Sequence, residues 1–274
     1  MAWRSLLALA TGLGVQLAVP SITVSAELAD IRDRGYLIVA VKDSWPPLGF
    51  RNEAGELVGF EIDIARQLAQ RLLGDPDAVE LRPVSNRDRI NRVIEGEADI
   101  AIAGVTLTSP RQRIASFSLP YYLDGVGFVT QRDRIQSLDD LQSARVALLN
   151  SSSTVTQVDY WLPLATLVPT ASYAEAIALL ETGQVDAFAG DVTVLSGWIQ
   201  QDSRYRLLPE IISIEPLAIV IPKGTQHSPL RRAINQAVEA WYDEAWLQER
   251  AIYWGLPYRR ERIELHRLLD PPDI

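Results

Sequence analysis

The segment Glu97–Tyr122, reading EADIAIAGVTLTSPRQRIASFSLPYY, sets the pattern for the rest of the chain. Asp99–Ala103 is a short apolar run, the signature of a buried strand. Gly104 then permits close backbone approach, and Thr106 and Thr108 offer hydroxyls. Ser109-Pro110 has the form of a helix start, serine at the N-cap and proline at the first helical position. Arg111 follows in the first turn, where free N–H groups and the positive dipole end already favour an anion. A guanidinium there, beside two hydroxyls and a glycine, suits a carboxylate, whose oxygens match its fork. The same residues fit a surface arginine after a turn, and the segment alone leaves both readings open.

An echo lies further along. Glu95-Gly96-Glu97-Ala98-Asp99-Ile-Ala-Ile-Ala-Gly104 is answered by Gly183-Gln184-Val185-Asp186-Ala-Phe-Ala-Gly190, with the aspartates 87 positions apart. In each copy an amphipathic helix ends in glycine, and a strand that opens on Asp and ends in A-G (DIAIAG and DAFAG) leads to a polar loop. Two similar α/β units would then each present a loop at the carboxyl end of a strand, where open α/β sheets hold ligands. One loop offers Thr106 and Arg111, the other Asp191. A carboxylate grip facing an ammonium grip is a zwitterion site; coincidental spelling of two unrelated turns is the plainer alternative.

Around these copies the chain alternates strand and helix. Tyr36–Val41 and Glu80–Pro83 read as strands, and Phe50–Leu57 as a hairpin turn about Gly55. A scaffold helix opening at Gly59-Phe60-Glu61 carries Ile64, Leu68 and Leu72 on one face. Ser85-Asn86 are candidate caps for a helix with Ile90, Val93 and Ile94 buried, whose Arg89 reads locally as exposed. Strands follow at Gly127–Thr130, Arg145–Leu149, Val185–Ala189 and Leu217–Ile221. Ser172 and Glu175 have capping-box spacing, and the helix Leu230–Ala245 places Ile234, Val238 and Trp241 inward. The loop Asn150–Thr154 either holds an anion or caps the next helix.

The 274 residues suffice for two domains, and 47% apolar composition excludes a disordered chain. The net charge of −9 disfavours nucleic acid as partner, so an anion site must be made locally. Residues 1–26 carry only Arg4, an apolar run from about Leu6 to Val19, and Val24-Ser25-Ala26 as a small-residue cleavage site. They read as a secretory signal peptide cleaved near Ala26, with an uncleaved anchor as the alternative. The expected product is exported and soluble, with a net charge of −10. No cysteine and only His227 and His266 leave no thiol nucleophile or disulfide, and disfavour a histidine metal site. No cofactor is expected.

With these residues in place, the chain from about Gly35 to Pro257 resembles the periplasmic solute-binding proteins of polar amino acid ABC transporters, solute-binding protein family 3. The matching signatures are GYLIVAV…PPLGF, GELVGFEIDIARQLA, GEADIAIAGVTLTSPRQR with FSLPYY, and VDAFAGD. The resemblance implies an α/β fold of type II periplasmic-binding-protein form, two α/β lobes joined by two crossing strands. Lobe 1 would comprise residues 27–123 and 216–274, with a charged tail from about 258, and lobe 2 residues 128–211. By position Arg111 resembles the family's α-carboxylate arginine, beside Thr106 and the Gly104 backbone, and Asp191 the aspartate that holds the α-ammonium. Ser152 and Ser153 fall in the second lobe's carboxylate loop. Trp45 falls where an aromatic faces the ligand, a larger wall than the common Tyr or Phe.

Lys42 occupies a place where binders of basic amino acids tend to carry an acid, and Arg89 has an N-x-x-R-I context similar to acidic amino acid binders. Two such cations favour a second carboxylate and penalise a cationic ligand. The resemblance therefore implies a monomeric periplasmic protein that takes an acidic or polar L-amino acid, glutamate among them, and hands it to a membrane permease. It is expected not to be an enzyme. The competing readings are a periplasmic enzyme of the cyclohexadienyl dehydratase type and a soluble ligand-sensing partner of a receptor.

Overall fold

The computed structural model describes residues 27–150, 152 and 154–258. The expected signal segment, Ser153 and the tail beyond Tyr258 lie outside the described residues. Strands β1 (Leu37–Val41), β2 (Ser44–Trp45), β3 (Gly49–Arg51), β4 (Leu57–Val58), β5 (Val79–Pro83), β6 (Ile100–Ile102) and β7 (Ser116–Asp124) come first in the chain. Then come β8 (Val126–Thr130), β9 (Arg145–Leu149), β10 (Thr166–Thr170), β11 (Ala187–Asp191), β12 (Arg206–Leu207) and β13 (Glu215–Ile221).

Two five-stranded sheets result, ordered β5-β1-β6-β13-β7 and β10-β9-β11-β8-β12, with β2-β3-β4 as a small third sheet. In each large sheet the first three strands are parallel and the fourth runs antiparallel. The chain passes from the first sheet to the second between Asp124 and Val126 and returns between Leu207 and Glu215. That is the expected two-lobed α/β arrangement with two crossings.

Burial on both faces explains the near-continuous apolar strands. Val39 and Val41 join one hydrophobic cluster while Ala40 between them joins another. Val146 and Leu148 of the second sheet likewise face one cluster and Ala147 the opposite one. The helix Phe60–Leu73 lays Ile64, Ala65 and Leu68 on the first sheet. The helix Ser228–Asp243 adds Ile234, Val238 and Trp241, all fully buried as its spacing predicts.

The echoed DIAIAG and DAFAG segments have a shared physical role. The Asp99 carboxylate accepts the Ile38 N–H (2.7 Å), and the Asp99 N–H is donated to the Ile38 carbonyl (3.0 Å). Asp186 does the same with Arg145, at 3.0 and 2.8 Å. Each aspartate fastens the start of its own strand to the start of a parallel neighbour, and arginines, Arg34 in one lobe and Arg134 in the other, balance the charge. Coincidental spelling is set aside by this matched geometry.

Several local expectations shift. The helix near Arg111 is a single turn, Ser109–Gln112, capped by Thr108 rather than Ser109. So short a helix has little dipole to offer. The segment after Ser85 is a run of turns followed by the one-turn helix Asn91–Ile94, and Ile94 is exposed rather than buried. Ser172 does cap the helix Tyr173–Glu181, its hydroxyl accepting the Glu175 N–H at 3.1 Å.

Candidate functional site

The carboxyl ends of β6 and β11 open onto a cavity of about 370 Å3 between the two sheets. The first-sheet side contributes Trp45, Asn86, Arg89, Gly104, Thr106 and Arg111. The second contributes Leu149, Ser152, Thr154, Tyr173, Phe188, Gly190 and Asp191, and Glu215 stands where the chain returns. Of the residues singled out in the sequence, Arg111, Asp191, Thr106, Gly104, Trp45, Arg89 and Ser152 thus meet in one place. Lys42 lines an adjoining cavity instead.

Arg111 is half-buried and donates from Nη1 to the Thr106 carbonyl at 2.8 Å. One bond therefore fixes the guanidinium and leaves the rest of its fork available. Burial lowers its pKa and the Glu215 carboxylate offsets this. Thr106 itself is tied to the return strand through a bridge to Leu217, so the grip is anchored on the sheet rather than on a free loop.

The helix Val192–Gln201 begins at Asp191, its N-cap. Burial raises the pKa of its carboxyl while the Arg89 guanidinium pulls it back down. Close by, the fully buried Asp124 accepts the Thr193 hydroxyl at 2.6 Å and the Gly125 N–H at 2.8 Å. Desolvation, aided by repulsion from Asp191, pushes the Asp124 pKa up to about 8. Asp124 is therefore held as the neutral acid near pH 7, leaving Asp191 as the better candidate for the ionised partner.

Arg89 corrects its local reading as exposed: it is only 8% accessible. Its Nη1 donates to the carbonyls of Ala103 and Gly104, both at 2.6 Å, and its Nε has no partner among the described residues. Glu61, which the sequence places at the opening of the scaffold helix, lies fully buried behind the same loop. Its Oε1 accepts the Gly104 N–H at 2.7 Å and the Tyr121 hydroxyl. Burial raises its pKa.

Both polar groups of the Gly104 peptide are thus engaged from within the lobe, its N–H by Glu61 and its carbonyl by Arg89. What Gly104 supplies is space. Its φ is +63° and an added Cβ would lie 2.7 Å from Trp45 Cζ3, so only glycine lets the indole lie flat on the loop. Ser152 is also engaged, its hydroxyl donating to the Leu149 carbonyl at 2.9 Å. Tyr173, Phe188 and Glu215 were not singled out in the sequence, and Asn86 only as a candidate cap. Tyr173 and Phe188 pack edge-on with ring centroids 6.0 Å apart, and only the tertiary fold brings them to the cleft.

The model for bacterial extracellular solute-binding proteins, family 3, matches residues 37–256. The chain belongs to this family. Among family 3 relatives, the "Glutamine-binding protein" of Geobacillus stearothermophilus is 36% identical over 203 residues, 73% of this chain and 78% of that one. The "ABC transporter glutamine-binding protein GlnH" of Bacillus subtilis (strain 168) is 30% identical over 233 residues, covering 81% and 85%. The solved "Ancestral Cationic Amino Acid Solute Binding Protein (AncCDT-1)" superposes with a TM-score of 0.71 at 26% identity, covering 83% of this chain and 99% of that one. The expected family and its two-lobed fold therefore stand, and both curated relatives are named for binding rather than catalysis. Among the described residues of this family 3 protein, no helix is long and apolar enough to cross a membrane.

Proposed function

We propose that this protein is the extracytoplasmic substrate-binding component of an amino acid ABC transporter. It captures an L-amino acid by lobe closure and hands it to a membrane permease. The observation that carries this is one cavity with Arg111 on the first-sheet side and Asp191 on the second-sheet side. A zwitterion bridges the two charges, so its binding favours the closed form by as much as the closed form holds it better. No bond is made or broken, and the protein acts by binding.

The side chain preferred is acidic or polar. Lys42 and Arg89 are buried cations near the cleft, each with its pKa lowered by burial. A third cation brought beside them meets repulsion, whereas a carboxylate or amide oxygen meets donors. The glutamine-binding relatives and the "Glutamate-binding protein GluB" of Corynebacterium glutamicum, 28% identical, support this preference. An ancestral arginine-binding protein of similar fold is recorded with arginine and also with glutamine, so the scaffold itself accommodates either. Lys42 tips the choice here.

A thermal-shift panel of free amino acids tests the reading, because a ligand held only by the folded form raises Tm. Glutamine or glutamate is expected to raise it most. Arginine or lysine raising it most would overturn the assigned preference, and no shift from any amino acid would overturn the function.

A further inference from the structure

A second cavity, of about 400 Å3, adjoins the first and shares Trp45, Asn86 and Tyr173 with it. It lies between the β2 strand end and the helix Val192–Gln201, with Trp198 and Gln201 on the far wall. Gly197 sets its depth: a Cβ there would come within 2.5 Å of the Pro46 carbonyl oxygen, so the backbone itself closes this edge.

The lining is aromatic with one charge. Trp45, Tyr173 and Trp198 line it, Trp198 with one face stacked on Phe188, and Lys42 is the only ionisable cation or acid among the lining residues apart from the Tyr173 phenol. Lys42 is 7% accessible, and its Nζ gives one proton to the Val84 carbonyl at 3.0 Å. An ammonium has three protons to donate. Ammonium protons left unpaired in a buried place are costly, so an acceptor-bearing group belongs beside Lys42 where it lines this cavity. A free amino acid seated between Arg111 and Asp191 fills the first cavity and turns at most its side-chain end toward the second.

Resting on the zwitterion reading above, we propose that the preferred ligand is an L-amino acid extended through its side chain, with a planar arm in the second cavity and a terminal carboxylate on Lys42. The γ-glutamyl dipeptides are the class that fits. Their glutamyl residue keeps a free α-ammonium for Asp191 and a free α-carboxylate for Arg111. Their isopeptide group is flat enough for the aromatic walls and carries an acceptor. The second residue ends in a carboxylate for the Lys42 ammonium, adding to the charges of Asp43 and Glu61 that it already feels.

Calorimetric titration with L-glutamine, γ-L-glutamylglycine and γ-L-glutamylglycinamide tests this. The dipeptide acid is expected to bind at least about tenfold more tightly than glutamine, and the glycinamide, without the second carboxylate, to lose that advantage. Lys42→Met should weaken the dipeptide acid at least about tenfold more than it weakens glutamine. Glutamine binding as tightly as the dipeptide acid, or acid and glycinamide binding alike, would overturn the proposal and leave the amino acid function standing. Binding of none of the three would overturn this proposal, and the thermal-shift panel of free amino acids then decides the amino acid function separately.

Discussion

Arg89 and Glu61 show how far a residue's role depends on what packs behind it. Together they hold the Gly104 peptide, one on its carbonyl and one on its N–H. Arg89→Met is expected to leave the Ala103 and Gly104 carbonyls unpaired and to cost about 1–3 kcal/mol of stability, read by urea denaturation. Asp124 gives a pH signature. With its pKa raised from 3.8 to about 8 in the folded chain, the native state keeps a proton that the unfolded state has lost between those values. Stability from this group therefore falls as pH rises through that window and levels off above it. Asp124→Asn, which does not ionise, should remove this fall, as denaturation at about pH 5, 7 and 9 would show. Arg111 and Asp191 were legible as a pair because each follows a glycine-ended strand in a repeated phrase. Glu61 was not: an acid in the first turn of a helix is ordinary, and its burial comes from Tyr121, sixty positions away. Ser153, expected in the carboxylate loop, lies outside the described residues.

Elements were legible where hydrophobic period and caps agreed, and not where tertiary contacts cut them short. The run Ile90, Val93, Ile94 has helical spacing, yet only one turn forms. Arg89 is drawn inward to the β6 loop, and the chain must fold back at once so that Asp99 meets Ile38. The matched aspartates allow a graded prediction. Asp99→Ala removes an almost fully buried acceptor and should cost about 1.5–3 kcal/mol. Asp186→Ala should cost less, since its arginine partners are close to half exposed or more. Gly104→Ala forces a side chain into a positive φ beneath the Trp45 ring. It is expected to cost about 1–3 kcal/mol and to weaken ligand binding through the displaced indole, measured by thermal denaturation and calorimetry together.

For the whole molecule, the two sheets share one strand plan, joined by a crossing at Asp124–Val126 and a return before Glu215. The crossing is beside the cleft, so both Asp124 and Glu215 feel the charge of Asp191. Among the described residues the lobes touch where Gly197 meets Pro46 and where Gln200 Nε2 donates to the Trp254 carbonyl at 2.9 Å. Gly197→Val is expected to prop them apart, raising Kd and enlarging the radius of gyration of the liganded protein in small-angle scattering. The most direct measurement is calorimetric titration of L-glutamine into the wild-type protein, Arg111→Ala and Asp191→Ala. Loss of either buried charge partner should cost about 2–5 kcal/mol, a rise in Kd of about thirtyfold or more. A wild-type Kd in either folded variant would contradict a zwitterion held from both lobes.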